Sequence, residues 1–169
     1  MNLASHKVDH LGNTALHYAA IHDASEVALE LVAKAKVDAR NKEGDTPLHL
    51  AARWNNYKVA KVLLDSGAGA NTVNDRGETP LHVAAKWTAV DVFKTLLNYG
   101  ADFSVPDVQG KTPTQVLCYS SSCRPRDREV FYKVLYQSVM KRAKAWLALI
   151  SKSIPLRPNL DPSPEMCHH

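Results

Sequence analysis

The 169-residue chain contains only three cysteines, and their spacing does not resemble that of a disulfide-rich secreted domain. It has no apolar run of the roughly 18 to 20 residues that a membrane span needs, and no signal-like apolar segment follows Met1. We therefore expect reduced thiols and an intracellular location, cytoplasmic, nuclear or both.

Motifs for catalysis or cofactor binding are also missing. The sequence has no Gly-rich phosphate loop, no paired catalytic carboxylates and no nucleophile elbow. Cys118, Cys123 and the terminal Cys167-His168-His169 contain zinc-ligand types, but more than forty residues separate Cys123 from Cys167, which fits no compact zinc pattern. We expect no enzymatic activity, no metal and no other cofactor.

The net charge of +4 is unevenly distributed along the chain. Residues 1–117 hold twelve Lys/Arg and thirteen Asp/Glu, whereas residues 118–169 hold nine and four. A basic excess of this size with few aromatic residues is typical of a solvated face, so we do not expect nucleic-acid binding.

The sequence does contain a repeat. Gly44 to Ala52 reads G-D-T-P-L-H-L-A-A, and related stretches begin at Gly12, Gly77 and Gly110. The threonines of successive copies are 32, 33 and 33 residues apart. A fixed period of this length indicates a stacked solenoid.

Each unit can be interpreted from its residues. An Asx residue three positions before the glycine predicts a tight turn, and the threonine and proline after the glycine predict a helix start. Paired alanines allow close helix packing, and apolar residues at helical spacing near Val27, Val59 and Val92 predict a second helix. Gly67 and Gly100 suit the residue that follows a helix end.

The turn, the T-P-L-H helix, the V-x-x-L-L helix and the G-A-D/N return together resemble the ankyrin repeat, over roughly residues 7–117 and part of the C-terminal region. The resemblance implies an all-α solenoid of four repeats that binds other proteins. The first repeat departs from the pattern with Ala15 in place of proline and with no glycine after its second helix. The fourth has Thr114-Gln115 in place of Leu-His, as expected of a capping repeat.

The end of the fourth repeat is displaced. Residues 129–135 match 91–97 but come five residues later than the period requires. We therefore predict repeats 1–3 and the first helix of repeat 4 over 1–117, and an inserted loop over 118–126. After the loop we predict a long basic amphipathic capping helix over 127–151 and an extended mobile tail over 152–169.

The repeated histidines His17, His49 and His82 are the obvious catalytic candidates. One histidine per repeat places them in a row along the stack, so they cannot converge on one site. We expect each imidazole to bond its own threonine and neighbouring backbone, which ties the repeats together.

The residues after each alanine pair vary between repeats, and the resemblance implies that this position lies on the concave, partner-binding face. Arg53-Trp54 and Lys86-Trp87 repeat a cation beside a tryptophan, and both Trp and Arg are enriched at interface hot spots. The alternative is that both tryptophans merely pack over the alanines. We predict a protein-binding surface whose residues are Trp54, Trp87, Arg53, Lys86, His22 and Tyr119, with Lys42, Arg76 and Gln109 at the repeat tips.

We expect a monomer that binds a protein with an acidic segment containing apolar residues. Three further hypotheses remain open. One interpretation of the C-terminal helix is that its apolar stripe, Phe131 to Ile150, packs on the fourth repeat. The alternative is that the helix binds an acidic membrane or a calmodulin-type protein. A faint similarity over Leu147 to Leu160 suggests a ubiquitin-ligase adaptor, and the chain could instead be an inhibitor subunit of an enzyme.

Overall fold

The computed structural model describes residues 7–119 and 124–153, and every regular element within those ranges is an α-helix. The helices form four consecutive pairs, which confirms the predicted all-α solenoid. Their bounds are α1 Ala15–Ile21, α2 Ser25–Val32, α3 Pro47–Arg53, α4 Tyr57–Asp65, α5 Pro80–Lys86, α6 Val90–Asn98, α7 Pro113–Tyr119 and α8 Pro125–Ser153. None of these helices has the length and apolar character to cross a membrane.

The helices stack in two layers. The first helices α1, α3, α5 and α7 pack side by side, and the second helices α2, α4, α6 and α8 do the same. The alanine pairs are buried where the first helices meet, with Ala51, Ala52, Ala84 and Ala85 fully inaccessible to solvent. Small side chains at these positions let adjacent repeats approach closely.

The turns at the repeat tips form as predicted. In the third repeat, the Asn74 side chain accepts hydrogen bonds from the backbone N–H groups of Arg76 and Glu78, each at 3.0 Å. Gly77 has a φ of 69°, and a Cβ added to it would lie 2.9 Å from the backbone nitrogen of Val108 in the next tip. Glycine is therefore needed both for its conformation and for the contact between tips.

Each of the first three repeats has a histidine three residues after its threonine, and this pair caps the start of the first helix. Thr46 and His49 form a capping box at the start of α3, and Pro47 occupies its first turn. The His49 Nε2 atom lies 3.0 Å from the carbonyl oxygen of Glu78 in the next repeat. His17 and His82 make the equivalent contacts, so the predicted role of the histidines in linking the repeats is confirmed.

The first repeat is less well packed than the next two. Val59 and Val92 are fully buried in α4 and α6, whereas the equivalent Val27 in α2 is 51% exposed. Val27 lies at the open end of the described stack, where α2 has a neighbouring second helix on one side only. Gly67 and Gly100 adopt the left-handed conformation just after α4 and α6, whereas none of residues 33–37 after α2 does so.

The predicted long C-terminal helix is present as α8, beginning at Pro125 rather than at 127 and ending at Ser153 rather than at 151. Phe131 is buried and packs edge-on against Phe93 of α6, with ring centroids 4.8 Å apart. The start of α8 therefore packs on α6 as the second helix of the fourth repeat, against the second helix of the third. The predicted loop over 118–126 is shorter at both ends, and residues 120–123 and 154–169 lie outside the described ranges.

The expectation that the whole apolar stripe of α8 packs on the stack is wrong for its distal half. Val139 is 40% exposed, and Trp146 and Leu147 are both about 60% exposed. The physical reason is that α8 packs mainly on α6, and α6 ends at Asn98 while α8 continues for several more turns.

Candidate protein-binding surface

The predicted binding residues lie where the first helices end. His22, Trp54 and Trp87 are the C-terminal caps of α1, α3 and α5, and each is followed by a residue in the left-handed region. This backbone conformation turns the chain sharply and leaves the capping side chains at the surface. We call the surface formed by His22, Arg53, Trp54, Lys86 and Trp87 the helix-end surface.

Both tryptophans of the helix-end surface are partly open to solvent. Trp54 is 58% exposed and Trp87 is 48% exposed, although they follow fully buried alanines. Their rings therefore do more than cover the alanines, and a large apolar area remains available on two adjacent repeats.

Arg53 and Trp87 come together across the repeat boundary. The guanidinium carbon of Arg53, in the second repeat, lies 5.0 Å from the ring centroid of Trp87, in the third. This is cation–π distance, and it orients the indole ring before any partner binds. Of the two cations that precede the tryptophans, Arg53 therefore has a role within the chain, which is to hold the Trp87 ring.

Lys86 and Arg76 converge on a single buried carboxylate. Glu78 accepts from Lys86 Nζ at 2.9 Å and from Arg76 Nε at 2.9 Å, and Asn74 donates to it as well. Burial alone would raise the pKa of Glu78, but these three donors outweigh it and lower the pKa to about 2. Glu78 therefore stays ionised and fixes both cations beside the helix-end surface.

These side chains line a surface pocket of about 180 Å³. Its lining residues include Arg53, Arg76, Glu78, Lys86 and Trp87. The structure thus brings four of the predicted binding residues to one place. Trp54 does not line this pocket and lies on the neighbouring helix end.

The other predicted residues occupy the periphery. Lys42 is exposed on the second tip, and its backbone N–H donates to Leu11 of the first tip at 2.9 Å. Gln109 is exposed on the fourth tip. His22 stacks on Tyr18 with ring centroids 6.4 Å apart. Tyr119 ends α7, and its side chain is outside the described part of the structure.

Nothing in the described ranges gathers the ligands of a metal: no group of three or more His, Cys, Asp or Glu side chains is placed to hold one there. The side chains of Cys118, Cys123 and Cys167, which were considered for zinc, are outside the described part of the structure. The repeated histidines are committed to hydrogen bonds between repeats.

Comparison with known proteins agrees with this architecture. A family model described as ankyrin repeats, in three copies, matches at residues 2–74, 31–107 and 66–127. The chain belongs to the ankyrin repeat family. A curated ankyrin repeat protein of fowlpox virus (strain NVSL) is 37% identical over 59 residues. That match covers 34% of this chain and 14% of the viral protein.

Ankyrin repeats are generally protein–protein interaction modules and are typically non-catalytic. Sequence reasoning found the tryptophans but did not predict that Glu78 and Asp45, two acids at the tips, are buried beneath the helix-end surface. Asp45 accepts from Asn74 Nδ2 at 2.7 Å. The available signal was an acid directly after the tip glycine in two consecutive repeats.

Proposed function

We propose that the chain binds a protein partner through the helix-end surface, with Trp54 and Trp87 as the central anchors. The observation that carries the proposal is the pair of half-exposed tryptophans at equivalent positions of adjacent ankyrin repeats. Exposed tryptophan costs free energy in water, and its burial by a partner typically dominates the binding energy of an interface.

The charges around the tryptophans favour a partner segment that is acidic as well as apolar. Glu78 already neutralises much of the charge of Arg76 and Lys86. Among the described residues neither Arg53 nor Lys42 forms a salt bridge, so both can bind a carboxylate of the partner. Lys42, Arg76 and Gln109 at the tips would set the register of that segment.

The test is capture of partners by the full chain and by a Trp54→Ala/Trp87→Ala variant. Loss of two hot-spot tryptophans is expected to reduce capture at least tenfold, since each contributes on the order of 2 kcal/mol at an interface. Trp146→Ala is the matched control, because Trp146 is 63% exposed on α8 and outside the helix-end surface. Helical circular dichroism and thermal midpoint should be unchanged in both variants.

Equal capture by all three proteins would contradict the proposal, and unfolding of the double variant would show that the tryptophans are structural. The identity of the captured protein separates the more specific roles. A ubiquitin-ligase subunit would support an adaptor, and an enzyme that loses activity on binding would support an inhibitor subunit. An intracellular location and a monomeric state stay predictions, to be checked by imaging and sedimentation.

A further inference from the structure

The distal part of α8 extends past the helix on which it packs. Arg142 donates to the carbonyl oxygens of Leu97 at 2.9 Å and Ala101 at 3.3 Å, so it caps the C-terminal end of α6. Beyond this contact α8 continues to Ser153, a further length of about 16 Å at helical rise. Residues 143–149 are all exposed.

Three faces of α8 can be separated at about 100° per residue. Phe131, Leu135 and Arg142 lie within about 40° of one another and form the face that packs on α6. A second arc, about 100° wide and centred roughly 90° away, is apolar and aromatic. Its exposed members from Tyr136 onward are Tyr136, Val139, Ala143, Trp146 and Leu147.

The remaining face is basic. Lys133, Lys144 and Lys141 lie on it, about 90°, 110° and 170° from the centre of the exposed apolar arc, and all three are exposed. From Val130 to Ser153 the sequence has no Asp or Glu, and Lys152 adds a further cation. From Val130 onward the charged side chains of α8 are therefore all positive, and the surface that complements them is acidic.

We propose that the distal half of α8 lies on an anionic membrane surface, with Trp146 and Leu147 at the boundary between headgroups and acyl chains. Lysines on the polar face and Trp and Leu on the other are the arrangement that holds a helix in the plane of an anionic bilayer. Trp and Tyr favour this boundary because their rings have an apolar body and a polar edge. No described helix has the length and apolarity to span a membrane, so α8 would lie on the bilayer.

A flat bilayer fits the geometry better than the groove of an acidic protein. The packing face of α8 remains on α6 up to Arg142, so a partner that wraps the whole helix would have to displace Phe131 from its buried site against Phe93. A membrane needs only the side of the helix that already faces solvent.

The test is co-sedimentation of the full chain with vesicles of phosphatidylcholine containing roughly 30% phosphatidylserine, and with vesicles of phosphatidylcholine alone. Binding to the anionic vesicles is expected to be at least tenfold stronger. Trp146→Ala/Leu147→Ala and Lys141→Gln/Lys144→Gln should each lower it several-fold. Trp54→Ala/Trp87→Ala is the control that removes two tryptophans without touching α8, and it should bind vesicles as the unmodified chain does.

A second readout places Trp146 directly. In a Trp54→Phe/Trp87→Phe chain, Trp146 is the remaining tryptophan, and its emission should shift to shorter wavelength on adding anionic vesicles. No shift, or equal pelleting with both vesicle types, would overturn the proposal. The proposal would also be overturned if the chain bound no vesicles and the α8 substitutions instead abolished its self-association. The same holds if they abolished its binding to an acidic protein.

Discussion

The Nε2 atom of His49 lies 3.0 Å from the carbonyl oxygen of Glu78, which is 29 residues further along the chain. On the other side of the ring, Nδ1 accepts from the backbone N–H of Thr46 at 3.2 Å. A backbone N–H can only donate, so Nδ1 must be unprotonated and Nε2 must carry the hydrogen. The hydrogen bond from Thr46 N–H to Nδ1 therefore requires a neutral imidazole, and the proton on Nε2 then makes the inter-repeat hydrogen bond.

This requirement makes the stack sensitive to mild acid. Burial lowers the pKa of His17, His49 and His82 below 6.5, so the unfolded chain binds more protons than the folded chain as the pH falls below that value. The contribution of the three neutral histidines to stability is present above pH 6.5 and is progressively lost below it. The free energy of unfolding is expected to fall by at most about 4 kcal/mol per pH unit, measured by urea unfolding between pH 7.5 and pH 5.

His82→Gln is the matched variant for this pH dependence. Gln115 occupies the histidine position of the fourth repeat, and its Oε1 accepts from Thr112 N–H at 2.8 Å, so glutamine can replace Nδ1. The slope should fall by about a third. An unchanged slope would rule out His82 as one of its sources. Glu78 affects a lower window, since its stabilisation is lost only as the pH falls from 4.5 towards about 2.

Thr88 is strained, and replacing it should stabilise the protein. Its φ is 56°, a left-handed conformation that is unfavourable for a β-branched residue by about 1–2 kcal/mol. Thr88→Gly removes that strain but adds flexibility to the unfolded chain, at a cost of about 0.5–1 kcal/mol. We expect a net gain of roughly 0.5–1 kcal/mol in urea unfolding.

Asn55→Gly is the control, because Asn55 has the same φ of 56° and lies at the equivalent position of the second repeat. Its side chain accepts from Val92 N–H at 3.2 Å and donates to Asp91 at 3.1 Å, so it links the second repeat to α6. This substitution should destabilise by about 1 kcal/mol. A loss of stability in Thr88→Gly would contradict strain at this position.

The packing of α8 can be tested at its buried aromatic residue. Phe131→Ala removes the edge-on contact with Phe93 and leaves a cavity, so we expect a loss of about 3–5 kcal/mol of stability. Trp146→Ala removes a larger but exposed ring and should change stability by no more than about 0.5 kcal/mol. Thermal and urea unfolding measure both, and equal losses would mean that the distal helix is packed as well.

Much of the fold can be predicted from short stretches of the sequence. The Asx–glycine turn, the threonine cap with its proline and histidine, and the alanine pair each act over a few residues, so each can be interpreted locally. Their recurrence at a fixed period then requires stacking, because one such unit cannot bury its own apolar face. The positions of Trp54 and Trp87 after the alanine pairs could be predicted in the same way.

Only the tertiary structure decided which of these side chains remain exposed and what they contact. Val27 and Val59 are the same residue at the same repeat position, yet only Val59 has neighbouring second helices on both sides. Arg53 meets Trp87, and Glu78 gathers Arg76 and Lys86, because stacking brings successive repeats side by side. The apolar stripe of α8 is continuous in sequence, but α6 is shorter than α8, so the distal part of the stripe stays exposed. The sequence alone determined the repeating unit through local contacts, whereas burial depends on neighbours that arrive from distant parts of the chain.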